Sequence, residues 1–246
     1  MQSILEETIG RVTQEKVRVV GSGRTDAGAH AFGQVVAFTT GTRLSGAVLQ
    51  RALNATLPRD VALTSLRDVA PDFHPRFDAQ SRTYRYVIHN RPVRSPFWEG
   101  RALHIGHRLD DRVMHTAEQE LVGRHDFGAF VPSAFSGSRI RTMYEARCRR
   151  DGDLVVTELR ADGFMRQMVR SMVGTLIRVG AGRLEQAELR SILESRDRRL
   201  AAETAPACGL YLVAVHYPQG LMLPERSATP RGESDVPALY GSEEKA

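Results

Sequence analysis

Apolar residues recur along the chain in two patterns, helical spacing and short runs rich in branched side chains. The helical spacing predicts helices over residues 4–12, 44–57, 110–122, 164–179 and 185–195. The short runs predict strands over residues 17–20, 34–39, 61–63, 84–88, 143–149, 154–159 and 210–215. The order of elements is therefore α-β-β-α-β in the first part of the chain and β-α-β-β-α-β, with one extra helix, in the second.

This order predicts an α+β protein made of two ferredoxin-like (split βαβ) halves, residues 1–80 and 81–217, with a mainly antiparallel sheet. The first half lacks the opening strand of the motif. Because an unpaired strand edge invites aggregation, we expect relatives to carry a strand ahead of the first residue. Residues 218–246 hold four prolines and few branched apolar residues, which predicts a mobile tail.

Composition restricts the class of protein. Hydrophobic residues make up 41% and charged residues 26%, as in ordinary globular proteins. No apolar run approaches the roughly 18 residues of a membrane span, and the first residues lack the basic and apolar regions of a signal peptide. We therefore expect a cytoplasmic protein that does not bind membranes.

The charge balance indicates, weakly, a polyanionic partner. The formal net charge is +5, and all but two of the 34 basic residues are arginine. The guanidinium group is a planar fork of donors suited to phosphate and to stacking. Cys148 and Cys208 lie far apart, and His104 and His107 have no carboxylate companions, so we predict free thiols and no metal site.

A glycine-rich loop between two predicted strands, residues 21–33, contains the most informative residues. A dinucleotide-binding fingerprint would need glycine in place of Asp26, and a phosphate-binding Walker loop would need lysine after Gly28. Neither motif fits, and the loop does not lead into a helix. What remains is an aspartate presented at a turn. It is either an Asx-turn that caps local N–H groups or a reactive carboxylate, and the pattern alone favours the turn.

A set of motifs resembles the TruA family of tRNA pseudouridine synthases. Residues 23–30 read G-R-T-D-A-G-A-H, against G-R-T-D-A-G-V-H in the family. Further similarities, in the same order, are residues 54–58, 72–77, 82–86, 127–130, 161–170 and 209–213. Each motif is weak by itself, but the ordered set over residues 3–217 is specific. The family's usual opening segment, Y-D-G followed by G-W-Q, is absent from this sequence, in agreement with the missing first strand.

The resemblance implies an isomerase that breaks the C1′–N1 bond of uridine, rotates the base and rejoins it through C5. No redox step occurs, so no cofactor is required. The expected targets are positions 38, 39 and 40 of the tRNA anticodon stem-loop, and the expected assembly is a homodimer that tRNA crosses. Asp26 is then the catalytic carboxylate. Attack on C1′, attack on C6 and removal of a sugar proton all remain open as its chemical step.

The resemblance also implies three substrate-binding residues. Arg166, at the start of the predicted fourth helix, is expected beside Asp26, where a guanidinium favours the ionised carboxylate; the alternative is a surface arginine. Tyr84 is expected to stack on the extruded uracil, the alternative being a core aromatic. Arg24 is expected to fill the vacated space in the RNA or to hold a phosphate, rather than to lie free in solvent.

Arg76 and Arg170 are predicted to bind the RNA backbone. The wider set of candidates for phosphate contacts adds Arg43, Arg82, Arg85, Arg139 and Arg141. Two other functions remain to be compared. A non-catalytic RNA-binding or tRNA-chaperone protein would keep the basic cleft without the chemistry, and a metal-dependent hydrolase would need ligands that this sequence does not group together.

Overall fold

The computed structural model describes residues 1–221 of the 246-residue chain. The helices are α1 (Gln2–Thr13), α2 (Gly46–Thr56), α3 (Asp111–Glu118), α4 (Met168–Gly180) and α5 (Gln186–Ser195). The strands are β1 (Val20–Gly21), β2 (His30–Ala31), β3 (Val36–Ala37), β4 (Ser81–Asn90), β5 (Leu103–Ile105), β6 (Gly123–Asp126), β7 (Ile140–Asp151), β8 (Leu154–Ala161) and β9 (Leu210–His216). No helix within residues 1–221 is long and apolar enough to cross a membrane.

A seven-stranded sheet in the order β2-β9-β4-β8-β7-β6, with β5 beside β4, forms the centre of the molecule. Its ladders are antiparallel except at β2–β9 and β4–β5. The central strand β4 pairs with β8 on one side and β9 on the other. The prediction of an α+β protein with a mainly antiparallel sheet is therefore confirmed.

The main core lies between this sheet and helices α3, α4 and α5. From the sheet, Tyr86 and Ile88 of β4 are fully buried, and α4 contributes Met168, Met172 and Leu176. Glycine at position 174 lets a later segment approach α4 closely, because a Cβ there would lie 1.9 Å from the Glu203 backbone oxygen. The middle of α4 is thereby held between the sheet and residues 203–205.

The N-terminal part has its own smaller core. Ile9 of α1, Val19, and Leu49 and Leu53 of α2 are buried together beside the two-stranded β1–β3 sheet. The strands predicted over 17–20 and 34–39 correspond to β1 and β3, each of which is only two residues long.

The strand predicted over residues 61–63 is wrong. Side-chain amides of α2 satisfy this segment in place of a strand partner: Asn54 accepts from the Leu63 N–H (2.7 Å) and donates to the Leu63 carbonyl (2.9 Å), which also accepts from Gln50 (3.1 Å). With its hydrogen bonds made to side chains, the segment needs no ladder. Most of the predicted tail, 218–246, lies outside the described residues.

Candidate active site

The glycine-rich loop is attached at its base to the segment that leads into β3. The Ser22 N–H donates to the Val35 carbonyl (2.8 Å), and the Ser22 hydroxyl donates to the Gln34 side chain (2.6 Å). The Gln34 amide in turn donates to the Gly23 carbonyl (3.1 Å). These bonds hold the two ends of the loop together ahead of Asp26.

The far end of the loop is attached to β9. The Phe32 and Gly33 N–H groups both donate to the Leu212 carbonyl, at 2.9 and 3.2 Å. At Gly33, a Cβ would lie 2.3 Å from the Val213 backbone oxygen, so only glycine permits this approach. The ladder between β9 and β4 shifts register at the same place, where Thr83 and Tyr84 of β4 pair with Ala214 and Leu212.

His30 secures the loop from the other face. Its Nε2 lies 2.9 Å from the Gly100 carbonyl, and its ring stacks on Tyr211 with centroids 4.6 Å apart. Through these contacts His30 holds the loop against the segment around Gly100 and against β9.

Asp26 begins a tight turn in which the Ala29 N–H donates to the Asp26 carbonyl (3.1 Å) and Gly28 takes a positive φ of 82°. The carboxylate does not form the Asx-turn that the pattern favoured. It accepts instead from Nη1 of Arg170. Among residues 1–221, no hydrogen bond is made to its other oxygen, Oδ1, which leaves that oxygen available to a ligand.

Arg170 lies in the first turn of α4 and is held from behind. Its Nε donates to the Ala205 carbonyl (2.6 Å), while the Ala205 N–H donates back to the Arg170 carbonyl (3.1 Å). The Arg170 side chain is 15% exposed and that of Asp26 29%. Such a partly desolvated, charge-assisted pair fixes the orientation of the carboxylate.

Tyr84 lies on the same row of β4 as the buried Tyr86, at the end nearer the loop. Its ring meets that of Phe164 edge to face, with centroids 5.1 Å apart. Burial raises the pKa of Tyr84; the positive charge of Arg82 works against this increase, and the negative charge of Asp26 adds to it. The phenol is thus a neutral donor in the electrostatic field of Asp26, and within residues 1–221 its hydroxyl makes no hydrogen bond.

Comparison with known proteins assigns the chain to one family. The model of the tRNA pseudouridine synthase family matches residues 1–78 and 117–218, which include Asp26 and Arg170. This chain belongs to that family. Relatives called tRNA pseudouridine synthase A are 44% identical in Methylacidiphilum infernorum, over 89% of this chain and 86% of the relative, and 41% identical in Acetivibrio thermocellus, over 88% and 89%. A third, in Roseiflexus, is 40% identical over 96% of this chain and 89% of the relative.

In this member of the family, the arginine beside Asp26 is Arg170 and not the predicted Arg166. The fourth helix begins at Met168 rather than at 164, because Gln167 adopts the left-handed conformation (φ 61°). Arg166 therefore precedes the helix and is exposed, and it makes no hydrogen bond or ion pair with residues 1–221. Arg170, predicted to bind the RNA backbone, occupies the position expected for Arg166. The four-residue spacing of the two arginines did not indicate which one reaches Asp26.

Two other predicted RNA-facing residues of the synthase are exposed. Arg24 is exposed in the loop two residues before Asp26. Arg76 is exposed on the segment before β4, with its guanidinium 5.7 Å from the centre of the Phe77 ring. Phe77 is itself 74% exposed, and its N–H and that of Arg76 both donate to Nδ1 of His74 (3.2 Å each).

Two arginines of the wider phosphate-binding set are bound inside the protein. Arg85 pairs with Glu158 at 2.9 Å, and Arg82 donates only to backbone carbonyls. Cys148 and Cys208 are both free, and no group of three or more potential metal ligands comes together in residues 1–221.

Proposed function

We propose that this chain converts uridine to pseudouridine in tRNA, at positions 38, 39 and 40 of the anticodon stem-loop. The observation that carries the proposal is the Asp26 carboxylate, paired with Arg170 and placed where its charge helps to raise the pKa of Tyr84. In the reaction the C1′–N1 bond breaks and a C1′–C5 bond forms. The proton on C5 leaves and N1 gains one, so the step needs neither an oxidant nor a reductant.

Asp26 is the residue that starts the reaction. Its pairing with Arg170 uses one carboxylate oxygen and leaves Oδ1 for the nucleoside. Attack on C1′, attack on C6 and abstraction of a sugar proton all require the ionised form, so the ion pair serves each of the three routes. Arg170 keeps the charge in place as the reacting sugar and base rearrange.

The target nucleotide has to leave the RNA stack to meet Asp26. Extrusion costs a few kcal/mol, and least where the base is weakly stacked, as in a loop or at the end of a stem. The Tyr84 ring, supported edge-on by Phe164, offers a surface on which the uracil can stack. Arg24 is placed on the same loop as Asp26 to fill the gap or hold the adjacent phosphate.

The remaining contacts to RNA follow the exposed arginines. We assign the contacts with the RNA backbone of the stem to Arg76 and Arg166, whereas Arg170 acts at Asp26.

The expected assembly is a cytoplasmic homodimer that tRNA crosses. Each subunit would consist of two ferredoxin-like halves, residues 1–80 and 81–217, with Asp26 between them.

A non-catalytic RNA-binding protein is the weaker candidate. A surface that only binds polyanions gains nothing from an ionised carboxylate held inside a basic site, since Asp26 would repel the phosphates and occupy Arg170. A catalytic role explains both the placement of the carboxylate and the support that Arg170 receives from Ala205.

The test uses unmodified tRNA transcript as substrate. Pseudouridine is mapped after incubation with the wild type, with Asp26→Asn, and with Asp60→Asn as a control at an exposed aspartate. We expect product at positions 38–40 with the wild type and the control, and none with Asp26→Asn although it still binds tRNA. Wild-type turnover by Asp26→Asn would remove Asp26 from its role. Binding without product by all three proteins would support the non-catalytic candidate.

A further inference from the structure

Arg82, at the start of β4, donates to four backbone carbonyls. Its Nη1 bonds to the carbonyls of Asp162 (3.0 Å) and Ala79 (3.3 Å), and its Nη2 to those of Arg76 (2.6 Å) and Ser22 (3.4 Å). One guanidinium therefore connects three segments that are distant in the sequence and meet beside the aspartate loop.

Each of the three segments leads to a residue of the proposed site. Ser22 begins the loop that presents Asp26. The Arg76–Ala79 segment holds the exposed Arg76 side chain and leads into β4. Asp162 follows β8 and begins the link to Phe164 and α4. Arg82 and Tyr84 are two residues apart on β4 and thus share a face, so the guanidinium lies beside the row that carries Tyr84.

The chemistry of the contact requires arginine. Burial lowers the pKa of Arg82, but a guanidinium stays charged in proteins and offers five N–H donors in a fixed plane. An ammonium group has three donors at one point and cannot reach carbonyls on three separate segments from this position. A second contact supports the same segment, since the Tyr217 hydroxyl donates to the Pro75 carbonyl at 2.6 Å.

We propose that Arg82 is a positioning residue for the isomerisation: it fixes the aspartate loop, the segment before β4 and the β8–α4 link relative to one another. The inference rests on the proposed function for its effect on rate. Arg82 itself does not contact the nucleotide; it acts through the backbone at Ser22, Arg76 and Asp162. A displacement of about 1 Å between reacting groups costs about 100-fold in rate, so rigid attachment of these segments matters for the chemistry.

The test compares Arg82→Gln and Arg82→Lys with a matched control, Arg150→Gln. Arg150 is a similarly bonded arginine, with bonds to Asp111 (2.7 Å), Asn90 (3.0 Å) and the Leu109 carbonyl (2.8 Å). In the sheet, Arg150 of β7 lies opposite Val155 of β8. The partner of Tyr84 on β8 is Leu159, four residues away, so Arg150 is remote from the proposed site.

Two measurements are made on each variant. The first is the single-turnover rate of pseudouridine formation, measured with enzyme in saturating excess over tRNA, together with the dissociation constant for the same tRNA. For Arg82→Gln we expect the rate to fall about 10- to 100-fold with the dissociation constant changed by less than about threefold, and for Arg82→Lys a smaller fall. For Arg150→Gln we expect a rate within about twofold of wild type at 25 °C, whatever its loss in melting temperature.

The second measurement is hydrogen–deuterium exchange of the protein alone, which does not depend on activity. In Arg82→Gln, residues 22–30, 72–80 and 162–167 should exchange faster together, with α3 unchanged. Faster exchange confined to one segment, or an equal loss of rate in Arg150→Gln, would overturn the proposal, as would a wild-type rate in Arg82→Gln. A wild type that forms no pseudouridine would refute the proposed function, and the exchange experiment would still decide whether Arg82 joins the three segments.

Discussion

The Arg170 guanidinium reaches the Asp26 carboxylate across 144 residues of sequence. The same side chain is anchored to the Ala205 carbonyl, so the acid is oriented by α4 and by the segment packed behind it. This contact joins the N-terminal loop to the C-terminal helices, so the position of the Asp26 carboxylate depends on both parts of the chain.

Arg170→Lys should lower the single-turnover rate of pseudouridine formation by about 100-fold, because one ammonium cannot hold Asp26 and the Ala205 carbonyl at once. Arg166→Ala should change that rate by less than about threefold when enzyme is saturating, since Arg166 is exposed and makes no ion pair within residues 1–221. Rates are measured with tRNA transcript at enzyme concentrations well above the dissociation constant. A larger loss in Arg166→Ala than in Arg170→Lys would restore the assignment made from the sequence.

Periodicity predicted the elements of the fold well where packing is regular. The helix α2 and the strands β7 to β9 follow their apolar patterns to within a few residues, since each buries one continuous face. The pattern failed at residues 61–63, where an apolar run is satisfied by Asn54 and Gln50 side chains instead of a strand. Hydrogen bonds from side chains of a neighbouring helix do not show in the apolar pattern of the sequence.

The candidate site was predictable in its residue types but not in its pairing. The resemblance to the family indicated both Asp26 and Tyr84, whereas the strand pattern alone favoured a core aromatic at Tyr84. Arg170, and not Arg166, contacts Asp26 because the left-handed backbone of Gln167 makes α4 begin at Met168, which leaves Arg166 outside the helix. The role of Arg82 was hidden for a related reason, because its partners are backbone carbonyls, which every residue supplies.

Gly33→Ala should undo the attachment of the aspartate loop to β9. A Cβ there would lie 2.3 Å from the Val213 oxygen, so the strands must separate, at a cost of roughly 1–3 kcal/mol in the free energy of unfolding. Gly23→Ala is the control in the same loop, because a Cβ at Gly23 meets no atom within 4 Å and its φ is not positive. Chemical denaturation measures both. Equal stability of the two variants would show that the loop does not depend on this close approach.

Glu118 makes the stability of the protein depend on pH. It is fully buried on α3, where neither carboxylate oxygen has a hydrogen bond within residues 1–221, and burial raises its pKa from 4.5 to about 9. His115 Nδ1 lies 3.5 Å from one oxygen but already accepts from the Cys148 N–H (3.3 Å), so the neutral imidazole cannot donate to it. The folded state thus binds a proton that the unfolded chain releases above pH 4.5, and this group lowers stability progressively as the pH rises towards 9.

Glu118→Met should therefore stabilise the protein, by about 1–3 kcal/mol near neutral pH, and flatten the decline in stability between pH 5 and pH 9. Glu194→Met removes a carboxylate of α5 that pairs with Arg190 at 3.0 Å, and because this pair is exposed to solvent the substitution should do neither. Urea denaturation of wild type and both variants at several pH values checks this. A wild-type slope that persists in Glu118→Met would mean that another group is responsible.

Arg76→Ala should weaken tRNA binding and make it less sensitive to salt. Each phosphate contact releases a condensed counterion, so losing one should reduce the slope of log affinity against log salt concentration by about 1. Arg190→Ala is the matched control, because it removes the same charge from an exposed position on α5, where Arg190 pairs with Glu120 and Glu194. Binding is measured by filter retention between about 50 and 200 mM salt. If both variants change the slope equally, Arg76 acts only through the net charge of the protein; if neither does, the segment carrying Arg76 and Phe77 lies outside the RNA interface.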